Sequence, residues 1–278
     1  MPNLRLKKKK KMSTFRRIAL GSWRTVGDPS VYGSLTLRMD EALRYIEYFR
    51  EKTGKRLTLS HMMAKAMAVV FEKMPDANAV LRYNRIYLRE DISVFFQVAL
   101  EDPNTGEIDL SGTTIHNANN KSLIEIVDEF STMVQKVKKG KDQELEKSRS
   151  LFKKIPLFTV KYLLNLLSFL LVTLNMDLRL FGVPKDPFGS VLITNIGSLG
   201  LESAYVPLVP YTRVPLLLAM GAVREEPVVE EGEVVVGKVM RVFATFDHRV
   251  LDGAHAAVMS KTLRAWMEDP FHHFGAIE

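Results

Sequence analysis

PVVEEGEVVVGKVMRVFATFDHRVLDGAHAAVMSKTLRAWMED, residues 227–269, is the stretch whose reading decides the fold. Valine-rich runs flank Glu231 and Gly232 on both sides, which predicts a hairpin of two antiparallel strands. The second strand runs on into DHRVLDG, and after Gly253 an alanine-rich segment predicts a helix that ends before Pro270. A long strand feeding a helix of this kind belongs to a mixed sheet packed with helices.

Working outward, LLLAMGAV (216–223) and SVLITNIG (190–197) read as two further strands. RIYL (85–88), SVFFQVAL (93–100) and YGSLTLRM (32–39) complete the strand set, and EDPNTGE reads as a loop. Between them lie helices. Asp40 is the expected N-cap of one that carries Leu43, Ile46 and Phe49 on a single face and stops at Gly54. A second runs over 59–74 and is ended by Pro75. A third starts at the capping-box pair Ser122 and Glu125 and ends at Gly140. The fold class is therefore α/β, a mixed β-sheet flanked by helices.

The 278 residues carry 39 basic and 32 acidic groups, a formal charge of +7. Eight of the basic groups lie in residues 1–17, with no acid, which leaves 31 basic against 32 acidic groups in the rest. A near-neutral body lacks the cationic face of a nucleic-acid-binding domain, so no nucleic-acid partner is expected. Residues 1–12 are expected to be a basic disordered tail, and 13–278 one domain. The chain has no cysteine, which excludes disulfides, thiolate zinc sites and a cysteine nucleophile. No apolar h-region follows the lysines, so a cytoplasmic protein is expected.

The segment at about 140–180 is atypical. Its charge-free part, Tyr162 to Met176, is 15 residues, short of the ~20 that a bilayer core requires. A buried or subunit-interface helix is the favoured reading. A membrane-surface contact is the alternative, because a local excess of five positive charges precedes the run.

His248 sits at a strand end with Asp252 four residues on and Gly253 opening the last helix. A neutral imidazole suits general-base chemistry near neutral pH. A lone HxxxD pair is more often an N-cap aspartate and a hydrogen-bonded strand-end histidine. His272 and His273 are adjacent but lack spaced carboxylates, so no metal site is read.

FATFDHRVLDGAHAA resembles the DHRxxDG motif of the dihydrolipoamide acyltransferases of 2-oxo acid dehydrogenase complexes, whose catalytic domain shares its fold with chloramphenicol acetyltransferase. STFRRIA, KAMAVVFEKMPDANA, SVFFQVALEDPNTGEIDLSGTTIHNANNKSL, SVLITNIGSLG and VPLLLAMGAV resemble the family's other blocks in order, and the likeness spans 13–278 except for about 140–180. It implies a homotrimer, or a larger assembly of trimers, with active sites between subunits. It implies coenzyme A as substrate, direct acyl transfer to a thiol, hydroxyl or amine, and His248 as general base. Thr194 falls where the family carries its oxyanion-stabilising serine, beside Asn195 and Gly197, with Ser190 and Ser198 as weaker candidates. Asp252 would be an orienting residue paired with Arg16 or Arg17, with Gly253 in support.

No lipoyl domain precedes the catalytic region in the sequence, so no covalently attached lipoyl is expected. Three readings stay open: a stand-alone acyltransferase using acyl-CoA and an unknown acceptor, a dehydrogenase-complex core served by a lipoyl-carrying protein, and a non-catalytic scaffold.

Overall fold

A computed structural model describes residues 3–8, 29–101, 108–138 and 156–277. Its main sheet is mixed and has the order β2-β10-β8-β7-β5-β6, with β9 pairing the first half of β10. These strands are β2 (Ser30–Arg38), β5 (Val94–Glu101), β6 (Ile108–Ile115), β7 (Val191–Asn195), β8 (Leu216–Met220), β9 (Arg224–Glu230) and β10 (Glu233–Asp247). The parallel pairs are β5 with β7 and β7 with β8. The β9–β10 hairpin turns at Glu231 and Gly232, both at positive φ (51° and 88°), as a two-residue hairpin turn requires.

Helices α1 (Asp40–Thr53), α2 (Leu59–Lys73), α3 (Leu123–Lys138) and α5 (Gly253–Glu268) join the sheet in one hydrophobic core. Tyr45, Phe49 and Phe71 are its largest fully buried side chains, and each contributes about 1.5–3 kcal/mol by leaving water. α3 begins as expected: Ser122 N–H donates to Glu125 Oε2 (2.7 Å), and Glu125 N–H to Ser122 Oγ (3.2 Å). α1 begins one residue earlier than expected, with Met39 as N-cap. Asp40 is its first residue, and its carboxylate takes the Arg38 guanidinium at 2.9 Å.

Two strands were not legible as such in the sequence: β3 (Ala79–Arg82), which pairs with β4 (Arg85–Arg89), and β6. The sequence reading puts residues 1–12 in a basic disordered tail, and within that stretch residues 3–8 are described. β1 (Leu6–Lys8) pairs antiparallel with β4, completing a small sheet β1-β4-β3. The reason is local. Leu4 is buried, Asn3 Nδ2 donates to Leu171 O, and Asp186 N–H donates to Asn3 Oδ1. Anchors in this segment outweigh the charge run that follows it.

The apolar segment forms α4 (Leu157–Ser168) and a π-helical turn over Phe169–Thr173. Leu171, Val172 and Leu178 pack on Val80 of β3, while Tyr162, Leu166, Phe169, Leu180 and Phe181 are exposed. No helix among the described residues is long and apolar enough to cross a membrane.

Candidate active site

His248 follows β10 directly and is fixed by backbone bonds on both sides. Its N–H donates to Pro29 O (2.9 Å), while Val250 N–H and Leu251 N–H both donate to Asp247 O (2.9 Å). Beneath this turn Asp247 accepts Arg249 N–H (2.9 Å), Nε (2.9 Å) and Nη2 (2.6 Å). A half-buried bidentate pair of this geometry makes the turn rigid. His248 Nδ1 lies 2.8 Å from Leu251 O. A carbonyl oxygen can only accept, so Nδ1 carries the proton and Nε2 keeps the lone pair. That tautomer is the one a base acting through Nε2 requires.

Asp252 is the N-cap of α5, and its Oδ1 accepts Ala254 N–H (3.1 Å) and His255 N–H (3.3 Å). His255 Nδ1 comes within 2.7 Å of the same oxygen. That contact requires Nδ1 to donate, so the 3.3 Å approach of Asp252 N–H to it is not counted as a second bond. The sequence reading passed over His255. The signal was the i, i+3 spacing of an N-cap acid and an N3 side chain. Arg16 and Arg17, the expected arginine partners of Asp252, lie outside the described residues. Gly253 opens α5, and a Cβ built on it would meet no atom within 4 Å, so packing does not demand glycine there.

Thr194 lies on β7 opposite Ala219, which is opposite Phe243 of β10. His248 is five residues beyond Phe243, about 16 Å further along the strand direction, with two ladder steps, about 10 Å, between β7 and β10. The faces differ too. Val191 and Ile193 face the helix-side core, as do Val242, Ala244 and Phe246; Leu192 and Phe243 belong to the cluster on the other face. Alternation puts Thr194 on that other face, whereas His248 makes an edge contact with Phe246 (centroids 6.3 Å). The structure therefore does not bring Thr194 and His248 together within one chain.

Asn195 Oδ1 accepts Ser198 N–H (3.0 Å) and Ser198 Oγ donates to Asn195 O (2.7 Å), so both residues build the turn after β7. A Cβ on Gly197 would lie 2.6 Å from Ala222 N and Gly221 O, which is why that position has no side chain. Ser190 is buried, and its Oγ accepts Ser93 N–H (3.2 Å).

Beside the histidine turn is a cleft of about 390 Å³ lined by Arg213, Pro215, Asp247, Arg249 and others. Desolvation, and then the charge of Arg249, hold Arg213 below the usual guanidinium range. Among the described residues no group of three or more His, Asp or Glu could hold a metal ion. His273 stacks on Trp266 instead (5.3 Å).

The sheet and its flanking helices form the α/β fold that chloramphenicol acetyltransferase also has. A solved chloramphenicol acetyltransferase matches with a TM-score of 0.52 at 14% identity, covering 95% of this chain and 100% of that one. The chain belongs to the family of the 2-oxoacid dehydrogenases acyltransferase (catalytic domain), which matches residues 7–152 and 188–274.

Among its relatives, the dihydrolipoyllysine-residue acetyltransferase component of the acetoin cleaving system of Bacillus subtilis (strain 168) is 25% identical over 222 residues, 79% of this chain and 44% of the relative. The corresponding component of the pyruvate dehydrogenase complex of Rickettsia felis is 23% identical, over 87% of this chain and 48% of its own length. The chain thus spans about half the length of these curated relatives. The dihydrolipoamide acetyltransferase of Azotobacter vinelandii, in which roles of a serine, a histidine and an asparagine in catalysis have been investigated, matches with a TM-score of 0.62 at 20% identity, covering 96% of this chain and 93% of that one.

Proposed function

We propose that the protein is a CoA-dependent acyltransferase that works as an oligomer, a homotrimer in the simplest case, with His248 as general base. The observation that carries this reading is the Nδ1 contact with Leu251 O, which leaves Nε2 as the basic nitrogen on a rigid strand end. Nε2 takes the proton of the acceptor thiol or hydroxyl as that atom attacks the thioester carbonyl. The tetrahedral oxyanion then collapses, the bond to sulfur breaks, and the leaving CoA thiolate recovers the proton from His248. No acyl-enzyme forms.

The oxyanion requires a preorganised donor, worth about 10²- to 10³-fold in rate. Thr194 is the proposed donor, and it must come from a neighbouring copy, because its own chain holds it about 16 Å along the sheet and on the other face. Asp252 and His255 hold the start of α5 against the histidine turn, as positioning residues.

A second reading, supported by the family match and the names of the relatives, is that the acyl group passes to or from dihydrolipoamide carried on another chain. One experiment addresses both: thiol release from a panel of acyl-CoA thioesters, with and without dihydrolipoamide, on wild type and His248→Ala. Release dependent on dihydrolipoamide selects the second reading. Equal release by His248→Ala overturns both.

A further inference from the structure

On the same end of the sheet as His248, three ladder steps away at the start of β5 and about 14 Å across, lies a polar cavity of about 240 Å³. It is walled by the residue 3–5 segment, by Arg89, Asp91, Ser93, His116 and Asn117, and by Lys185 and Asp186. Its charges do not cancel. Arg5 binds Asp91 and Arg89 binds Asp186. Lys185 has no acid partner among the described residues, which leaves the cavity one positive charge in excess.

The hydrogen-bond inventory is also one-sided. The Arg89 side chain is 7% exposed, and while its Nη2 is on Asp186, its buried Nε–H has no acceptor. An unmade bond from a buried guanidinium is costly, and few are left so without a ligand or water to take them. Ser93 Oγ is 3.3 Å from His116 Nδ1. With the hydroxyl donating there, His116 presents Nε2–H as a further donor. Burial lowers the pKa of His116, so the ring is held neutral. Asp186 and Asp91, the two carboxylates in the wall, are already engaged by guanidinium groups.

We infer that this cavity is a binding site for a compact oxyanion, a carboxylate or a phosphate group, received by the side chains of Arg89, Lys185 and His116 that line it. The site is separate from the reacting atoms at His248, and the inference does not depend on the acyl-transfer reading. A bound anion would tie the residue 3–5 segment to the turns before β5 and β7, so occupancy should be visible as added stability.

The test uses the full chain. Thermal unfolding is followed against inorganic phosphate, acetate and sulfate, each against chloride at equal ionic strength. The expected result is a saturable rise in Tm with at least one oxyanion, and an apparent Kd at least tenfold weaker in Lys185→Gln. Whether phosphate or acetate saturates at the lower concentration distinguishes the two sources. Line broadening of the phosphate ³¹P resonance by wild type, reduced in Lys185→Gln, is a second readout free of any folding defect. A Tm response equal to chloride, or one identical in wild type and Lys185→Gln, overturns the site.

Discussion

Mixing two inactive chains should restore activity if the site needs two copies. Thr194→Val removes one hydroxyl and should lower the rate about 10²- to 10³-fold. His248→Ala removes the base and should lower it about 10²- to 10⁴-fold. Each homo-oligomer is then nearly silent. Co-expressed at equal levels and assembled at random, a site is intact when its histidine comes from a Thr194→Val chain and its threonine from a His248→Ala chain. Each condition is met half the time, so about one quarter of the wild-type rate returns, in a trimer or in any other closed ring. The assay is acyl-CoA thiol release by the co-purified, differently tagged chains, normalised to protein. Activity at the level of the single variants would refute the two-chain site and return Thr194 to a purely structural role. The prediction rests on register alone, since no rotamer change spans about 16 Å along a strand.

Three further outcomes follow from the geometry. His61 is fully buried between Phe96 and Phe130, neither ring nitrogen has a partner, and desolvation pushes its pKa down to about 4. The unfolded chain, with an ordinary pKa of about 6.5, then binds a proton that the fold refuses, so stability is full above pH 6.5 and declines as pH falls towards 4, by about 3 kcal/mol at the limit. Urea midpoints across that range should slope for wild type and flatten in His61→Phe; parallel slopes would contradict the assignment. Asp252→Ala should cost about 1 kcal/mol as a lost N-cap and lower the turnover of the proposed reaction through the histidine turn, so a variant with unchanged unfolding and unchanged kinetics would remove Asp252 from the site. Gly197→Ala forces a Cβ to 2.6 Å from backbone atoms of residues 221 and 222 and should lower stability by about 1–3 kcal/mol, read as a shift in Tm; an unchanged Tm would show that the turn after β7 can yield.

Local chemistry was legible in the chain. The Ser122–Glu125 capping box, the Glu231–Gly232 hairpin, the Gly54 stop at φ 67° and the strand-to-helix passage through DHRVLDG each rest on residues a few positions apart. Asp40 was misplaced by one position because its carboxylate is drawn to Arg38 and to the Lys238 N–H, and the latter arrives from a distant strand. Residues 3–8 were read by their charge, and their order comes from anchors such as Leu171 and Asp186, which no local pattern reveals. The charge-free run Tyr162 to Met176 reads as apolar and too short to span a bilayer, but the sequence does not show which side of it faces β3.

By itself, the sequence determined the α/β class, the helix and strand chemistry of each block, and the residue types gathered around His248. Those follow from interactions within a turn or two of chain. Only the tertiary structure decided that His248 donates from Nδ1 to its own turn, that His255 shares the Asp252 carboxylate, that Thr194 lies at the other end and on the other face of the sheet, and that Arg89, His116 and Lys185 wall one cavity. These depend on strand order and register, which are set by burying two faces of one sheet at once, and a linear pattern carries the period of a strand but not its neighbours.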